Sequence, residues 1–285
     1  MKRPNPKARR PKTDTSRARK PAPQWKDGKR VKDPVVPKAD AASFPMRINR
    51  FIARSGVCSR READDMIKSG LVELDGAVVS DYSTQVQATN EVKVNGKVIT
   101  AVGGVYILLN KPSGAITTKS DEKGRETVFD LIDMPDEIKS ALFPVGRLDR
   151  DTTGILLLSS DGDLAHRLMH PSFEVEKLYR VKTGRKVTEE EIGRLLSGIE
   201  LEDGMAQVDQ AAYLTPGDRT EVGVAMHSGR NRIVRRMFEA LGHEVNHLER
   251  VKYAGLTASG VRRGKWRKLT DKEVSRLYRA VKMKR

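Results

Sequence analysis

The stretch Phe143–Leu164, FPVGRLDRDTTGILLLSSDGDL, decides how the chain is read. Four charges, Arg147, Asp149, Arg150 and Asp151, stand between two apolar runs, with Gly146 before them and Gly154 after. Ile155–Leu158 then form a continuous apolar run, the pattern of a strand buried on both faces. A surface turn needs only one Asp or Asn to close. Two arginines and two aspartates held against a core strand therefore mark a place where charge does more than turn the chain.

Working outward, VYILLNKPSGAITT predicts a strand over 105–110 that runs into a Lys-Pro-Ser-Gly turn. On the other side, FEVEKLYRVKTG alternates like a strand, and VTEEEIGRLLSG is a helix with Thr188 and Glu191 as its capping box. MAQVDQAAYLT and TEVGVAMHSG read as strands, RNRIVRRMFEALG as a helix ended by Gly242, and HEVNHLERVKYAGL as a strand. TDKEVSRLYRAVK closes the chain as a helix capped by Thr270. Long strands with scattered helices, lacking regular β-α alternation, predict a mixed, mainly antiparallel α+β domain over 104–285.

A smaller unit precedes it, over 46–103. Ile48, Phe51 and Ile52 share one helical face, and Gly56 can end that helix. Ser59 and Glu62 form a capping box for a second helix, with Ala63, Met66 and Ile67 as its buried stripe and Gly70 as its stop. LVELDGAVV and EVKVNGKVI are hairpins turning at Asp75-Gly76 and Asn95-Gly96. Arg47, Arg50, Arg54, Arg60, Arg61 and Lys68 lie on or beside the two helices. A charge run is usually a solvated face, but six cations with few acids between them favour a phosphate-binding surface.

Composition narrows the function. The 285 residues carry a net charge of +16, which points to a polyanionic partner, nucleic acid before a membrane surface. No apolar run approaches the roughly 20 residues of a membrane span, and no signal-peptide pattern opens the chain. Cys58 is the single cysteine, so no disulfide framework or thiolate zinc site is expected, and a reducing, cytoplasmic compartment is. The charge is uneven: residues 1–44 hold 14 Lys/Arg against 4 Asp/Glu. With few apolar groups and no period, they are expected to be a disordered basic arm. Its plain reading is a solubilising tail; its functional one is non-specific attraction to phosphate.

Residues 46–103, above all SRREADDMIKSGLVELDG, resemble the S4-type RNA-binding domain, which implies structured RNA as ligand but no chemistry. LNKPSG, GRLDRDTTGILLLSSDGDLAHRLMHP, EKLYRV, GRNRIVRRMFEALGHEV and RGKWRKLT follow in the order found in bacterial ribosomal-RNA pseudouridine synthases of the RsuA/RluB/RluE/RluF family. The appearance is closest to the large-subunit RluB type, and the resemblance covers residues 46–281. It implies isomerisation of a uridine within ribosomal RNA or a ribosomal assembly intermediate. The base is cut from C1′, turned and rejoined through C5, with no cofactor and no metal. A monomer is expected by family likeness.

The resemblance also assigns roles. Asp149 matches the catalytic aspartate, as nucleophile or as base toward the sugar; Arg147 matches the arginine that fills the gap left by the flipped nucleotide. Arg235 is assigned as the guanidinium that keeps Asp149 charged, with Arg232 a further substrate-binding residue. Ile233 stands where relatives often carry Gln or Glu. Tyr179 matches the tyrosine that stacks on the extruded base. Thr152 is expected to fix the loop by a side-chain-to-backbone bond, and Gly146 and Gly154 to let the backbone turn closely beneath the substrate. Lys111 and Pro112 match a supporting turn. Arg47, Arg60, Arg61 and Lys68 are the RNA-facing cations of the S4-like unit.

Taken alone, each residue has a plainer reading: Asp149 as a turn or salt-bridging Asp, Arg147 as an ion-pair partner, Tyr179 as a half-buried strand residue. His243-Glu244-Val245-Asn246-His247 satisfies H-E-x-x-H, the zinc-protease pattern. That chemistry needs a helix, yet Gly242 ends the preceding one and the residues beyond read as strand. Positions four apart on a strand lie roughly 13 Å from each other, too far to share an ion with contacts of about 2 Å. The remaining alternative is a non-catalytic ribosomal-RNA-binding assembly factor on the same scaffold.

Overall fold

The computed structural model describes residues 36–284 and, before them, only a two-residue strand pair at 25–26 and 29–30. Apart from that pair, the expectation of disorder for residues 1–35 lies outside the described residues. Residues 36–44, read as the end of the arm, are instead built into the fold. Lys38 bridges to Val102, Ala39 N–H donates to the Ala101 carbonyl (2.9 Å), and the Phe44 ring lies 6.2 Å from that of Phe51. Phe44, Val36 and Ala39 supply apolar contacts that the charge count did not register.

The S4-like unit follows its pattern closely. Helices α1 (Ile48–Arg54) and α2 (Arg60–Lys68) bury Ile48, Phe51, Ile52, Ala63 and Ile67 in one core. Ser59 and Glu62 form both bonds of the predicted capping box, a feature worth about 1 kcal/mol. Strands β1 (Val72–Leu74) and β2 (Ala77–Val78) turn at Asp75-Gly76, and β3 (Val92–Val94) and β4 (Lys97–Ile99) at Asn95-Gly96. All four turn residues have positive φ, as a tight hairpin with a right-handed twist requires.

The larger unit is built on one sheet. Its strands are β5 (Tyr106–Lys111), β6 (Thr152–Ser159), β7 (Lys177–Thr183), β8 (Gln210–Thr215), β9 (Asp218–Met226), β10 (Val245–Tyr253) and β11 (Trp266–Lys268). They lie in the order β8-β9-β7-β10-β6-β5-β11, and two-residue strands extend the edges of β6 and β10. Only β6 and β10 pair in parallel; the other neighbours are antiparallel, as predicted.

All eight residues of β6 are buried. Leu156 and Leu158 point into one apolar cluster with Ile107, Leu109 and Phe129. Ile155 and Leu157 point into another with Leu108, Leu164 and Leu277. Each such side chain contributes about 1.5–3 kcal/mol. This burial on both faces pins the start of β6, and with it the charged turn at 149–151.

Helices α3 (Asp136–Ala141) and α4 (Gly162–Met169) do not appear in the sequence reading, whereas α5 (Glu189–Ser197), α6 (Ile233–Ala240) and α7 (Asp271–Ala280) do. α4 is short and is started by Asp161, whose carboxylate accepts from the Leu164 N–H. The S4-like unit is tied to the large one by polar groups. Arg50 pairs with Asp163 of the large unit at 2.6 Å, while within the small unit Arg54 Nε donates to the Val102 carbonyl at 2.8 Å. These two arginines are thus withdrawn from the basic face, and Arg47, Arg60, Arg61 and Lys68 remain exposed on it.

Candidate active site

An open cleft of about 1060 Å³ runs over the centre of the sheet. Asp149, Arg147, Tyr179, Thr152 and Arg232 all line it. The strand order explains their meeting: β10 lies between β6 and β7, so the turn before β6 and Tyr179 on β7 flank one strand.

The turn is held by its carbonyls. Thr117 Oγ1 donates to the Leu148 carbonyl (2.8 Å) and the Gly114 N–H to that of Arg150 (3.0 Å). Lys111 is fully buried, and its Nζ donates to the carbonyls of Arg150 and Thr152, each at 2.9 Å, and of Pro112. The Lys-Pro-Ser-Gly turn thus cradles the charged turn from below, and the Asp149 side chain is left to face the cleft. Fixing the backbone this way positions a reacting group before substrate arrives.

Burial pushes the Lys111 ammonium down to about 8, against the pull of Asp151 and Asp149, while Arg263 lowers it further. Between about pH 8 and 10 the folded chain has shed this proton and the unfolded chain has not. Stability contributed by this group therefore rises with pH across that window, while the turn loses a charged donor. Turnover is expected to fall as pH passes about 8, with no loss of melting temperature on account of Lys111. Single-turnover rates from pH 6.5 to 9.5, for wild type and Lys111→Met, check this. A high-pH limb that persists in the variant assigns it to another group.

The guanidinium beside Asp149 is not the one assigned from the sequence. Arg232 Nη1 stands 3.5 Å from Asp149 Oδ2, whereas Arg235 Nη1 donates to the Val245 carbonyl at 2.9 Å. α6 begins only at Ile233, and Arg235 lies on its buried face, with Nε left without a hydrogen-bond partner. Arg232 caps the helix in a left-handed conformation (φ 47°), which carries its side chain out over the cleft. Arg232→Gln is expected to slow turnover about tenfold at unchanged melting temperature, and parallel rate and melting measurements check it.

Two further expectations change. Thr152 Oγ1 is buried and bonds no protein group; the backbone N–H of Thr152, donating to the Asp149 carbonyl (3.1 Å), closes the turn. Gly154 has a φ of +104°, and what comes close to it is strand β10: a Cβ there would lie 2.2 Å from the Arg250 carbonyl oxygen. Gly146, with φ +78°, has nothing within 4 Å of its Cβ position. Arg147 is exposed at the cleft and, among the described residues, has no ion-pair partner.

The H-E-x-x-H residues do not share a helix. His243 is buried in the turn after α6, with Nε2 3.0 Å from Glu191 Oε2, while His247 on β10 faces Thr153 Oγ1 at 3.3 Å. Two residues of the cleft carried no signal of their own: Lys177, hidden in an alternating strand pattern, and Arg250, one of many arginines in a basic chain.

A sequence profile described as RNA pseudouridylate synthase matches residues 105–240, and the S4 domain profile matches residues 46–92. The ribosomal large subunit pseudouridine synthase B of Bacillus subtilis is 41% identical over 234 residues, 81% of this chain and 95% of the relative. The chain belongs to the RNA pseudouridylate synthase family. The protein of the same description from Vibrio cholerae is 36% identical over 245 residues, covering 84% of this chain and 76% of its own. A pseudouridylate synthase crystal structure superimposes with a TM-score of 0.58 at 31% identity, over 81% of this chain and 99% of the other. This synthase is accordingly an isomerase that acts on uridine in RNA, with an S4 domain ahead of its catalytic domain. A non-catalytic scaffold protein finds no support.

Proposed function

We propose that the enzyme converts a uridine of large-subunit ribosomal RNA to pseudouridine, on free RNA or an assembly intermediate, as a cytoplasmic monomer. The observation that carries the reading is Asp149: a carboxylate at the mouth of an RNA-sized cleft, on a backbone braced at three carbonyls, with a guanidinium beside it. Arg147, exposed and unpaired at the same cleft, suits the gap left in the helix when a nucleotide flips out. Tyr179 supplies an aromatic face for the extruded base, and the ring would keep the detached uracil from leaving. Asp149 then either bonds C1′ or takes a sugar proton. Arg47, Arg60, Arg61 and Lys68 bind phosphate and position the RNA. Arg232 is the cation beside Asp149; Arg235 supports the helix that carries Arg232, by way of the Val245 carbonyl.

Mapping pseudouridines in ribosomal RNA from a deletion strain, and from the same strain complemented with this gene, tests the assignment. One large-subunit position should lose its pseudouridine and regain it. A site in small-subunit RNA, or none, would overturn the substrate.

The arm is proposed to add phosphate attraction. Residues 1–35 carry 13 Lys/Arg and 3 Asp/Glu, so its whole net charge lies outside the described fold. Removing them is expected to flatten the slope of log affinity against log salt. Filter binding between 50 and 300 mM salt reads this directly, and an unchanged slope makes the arm a passive tail.

A further inference from the structure

Two cations at the floor of the cleft have no carboxylate partner among the described residues. Lys177, half-buried at the start of β7, donates from Nζ to the carbonyls of Val175 and His227. Arg250, 3% exposed on β10, donates from Nε to the Ile155 carbonyl at 2.9 Å. Its guanidinium carbon stands 4.5 Å above the Tyr253 ring, and its Nη2 is buried without a hydrogen-bond partner. Both line the cleft. Tyr179, two residues from Lys177, is the register partner of Arg250. The acid that acts on Lys177, Asp209, is engaged with His227 at 2.8 Å.

Burying a cation with no counter-charge is strongly unfavourable. A fold keeps such an arrangement where a negative charge arrives during function. The cleft offers two such charges, the RNA phosphates and the uracil ring. The exposed arginines at the mouth, Arg147 and Arg232, suit phosphates. Half-buried Lys177 and buried Arg250 lie beside Tyr179, where a flipped nucleotide places its base.

Resting on the proposed reaction, we infer that Lys177 and Arg250 form a cationic seat that stabilises the negative charge of the uracil ring while it is detached from the ribose. When the C1′–N1 bond breaks, its electron pair stays with the ring and spreads over N1, O2 and O4. This holds whether Asp149 bonds C1′ or removes a sugar proton. After the ring turns, C5 supplies a pair to C1′ as the Asp149–C1′ bond breaks and its pair returns to the carboxylate, or as Asp149 gives its proton back to the sugar carbon, and the C5 proton passes to solvent. Fixed cations in a desolvated site favour the charged ring over the neutral bound base, the differential binding that lowers a barrier. Burial, with Arg250 as a second cause, pushes Lys177 down to about 8, so it is still largely charged at neutral pH.

The test compares two RNA substrates, one with uridine and one with 5-fluorouridine at the modified position. Fluorine makes the ring a better-stabilised anion and so reduces its need for the protein's charge. Lys177→Met is expected to slow single-turnover loss of the starting nucleoside about 10²–10³-fold with uridine, and at least tenfold less with 5-fluorouridine. Lys177→Arg, which keeps the charge, should recover most of the rate, and Arg250→Met, which removes one, should show the same substrate dependence as Lys177→Met. Equal losses on both substrates would overturn the inference, since a loosened His227 loop cannot sense the fluorine. A loss confined to RNA affinity would reassign the pair to phosphate, which also overturns it. Wild-type protein that consumes neither substrate would instead sink the proposed reaction itself.

Discussion

Asp149→Asn is expected to abolish pseudouridine formation, by at least about 10⁴-fold, while RNA still binds and the protein still melts cooperatively. The substitution keeps the size of the side chain and an oxygen that can accept from Arg232, 3.5 Å away. What it removes is the negative charge and the nucleophilic or basic carboxylate. The turn itself does not depend on that carboxylate, because Thr117, Gly114 and Lys111 hold its backbone. Asp151 cannot substitute, since the carbonyls of Arg150 and Thr152 on either side of it are bonded to Lys111. Affinity should hold or rise, because one charge that repels phosphate is gone. Tyr179→Phe should be milder, as the stacking ring remains. Single-turnover conversion beside a binding isotherm gives the answer. Near-normal turnover in Asp149→Asn would remove Asp149 from the chemistry.

Gly154→Ala is expected to be the most destabilising single substitution in the catalytic domain, costing about 4 kcal/mol or more and about 10 °C in melting temperature. Two causes act together. The φ of +104° is open to glycine and strained for alanine. The new Cβ would also stand 2.2 Å from the carbonyl oxygen, 2.8 Å from the nitrogen and 2.9 Å from the carbonyl carbon of Arg250. All three are backbone atoms of the strand paired with β6, so nothing flexible can yield. Relief requires β6 and β10 to part at the one parallel pairing of the sheet, which carries Arg250 away from Tyr179. Gly146→Ala is the control: its φ is also positive, but its Cβ meets open space, and the cost should stay near the 1–2 kcal/mol of a left-handed residue. Denaturant titration of both variants reads the difference. Equal losses would show that backbone conformation alone, and not the strand crossing, makes Gly154 necessary.

Much of the architecture was legible before any coordinates. The capping boxes at Ser59 and Thr188 and the cap at Thr270 form as read, because a cap depends on residues three apart and on nothing distant. The Asp75-Gly76 and Asn95-Gly96 turns, and the buried run at Ile155–Leu158, are local for the same reason. The family resemblance carried by the GRLD string and the run after it named Asp149 as the residue to test.

What the sequence by itself determined, then, was most of the elements, though not α3 and α4, the two-domain order and, by resemblance, Asp149 as the carboxylate to test. Each of these rests on interactions within a few residues of chain, or on a motif read as a string. Only the tertiary structure decided which charges meet. Arg232 and Arg235 are three residues apart and chemically alike. A left-handed cap turns one toward Asp149, and a buried helix face turns the other toward Val245. Lys111 became the brace of a turn some forty residues away through the pairing of β5 with β6. Gly154 proved to be a crossing point with β10, and Arg250 a buried cation without a partner beside Tyr179. Coulomb and steric energies depend on distance through space, and strand order, which brings positions 149, 179 and 250 together, is fixed only when the whole sheet closes on its core.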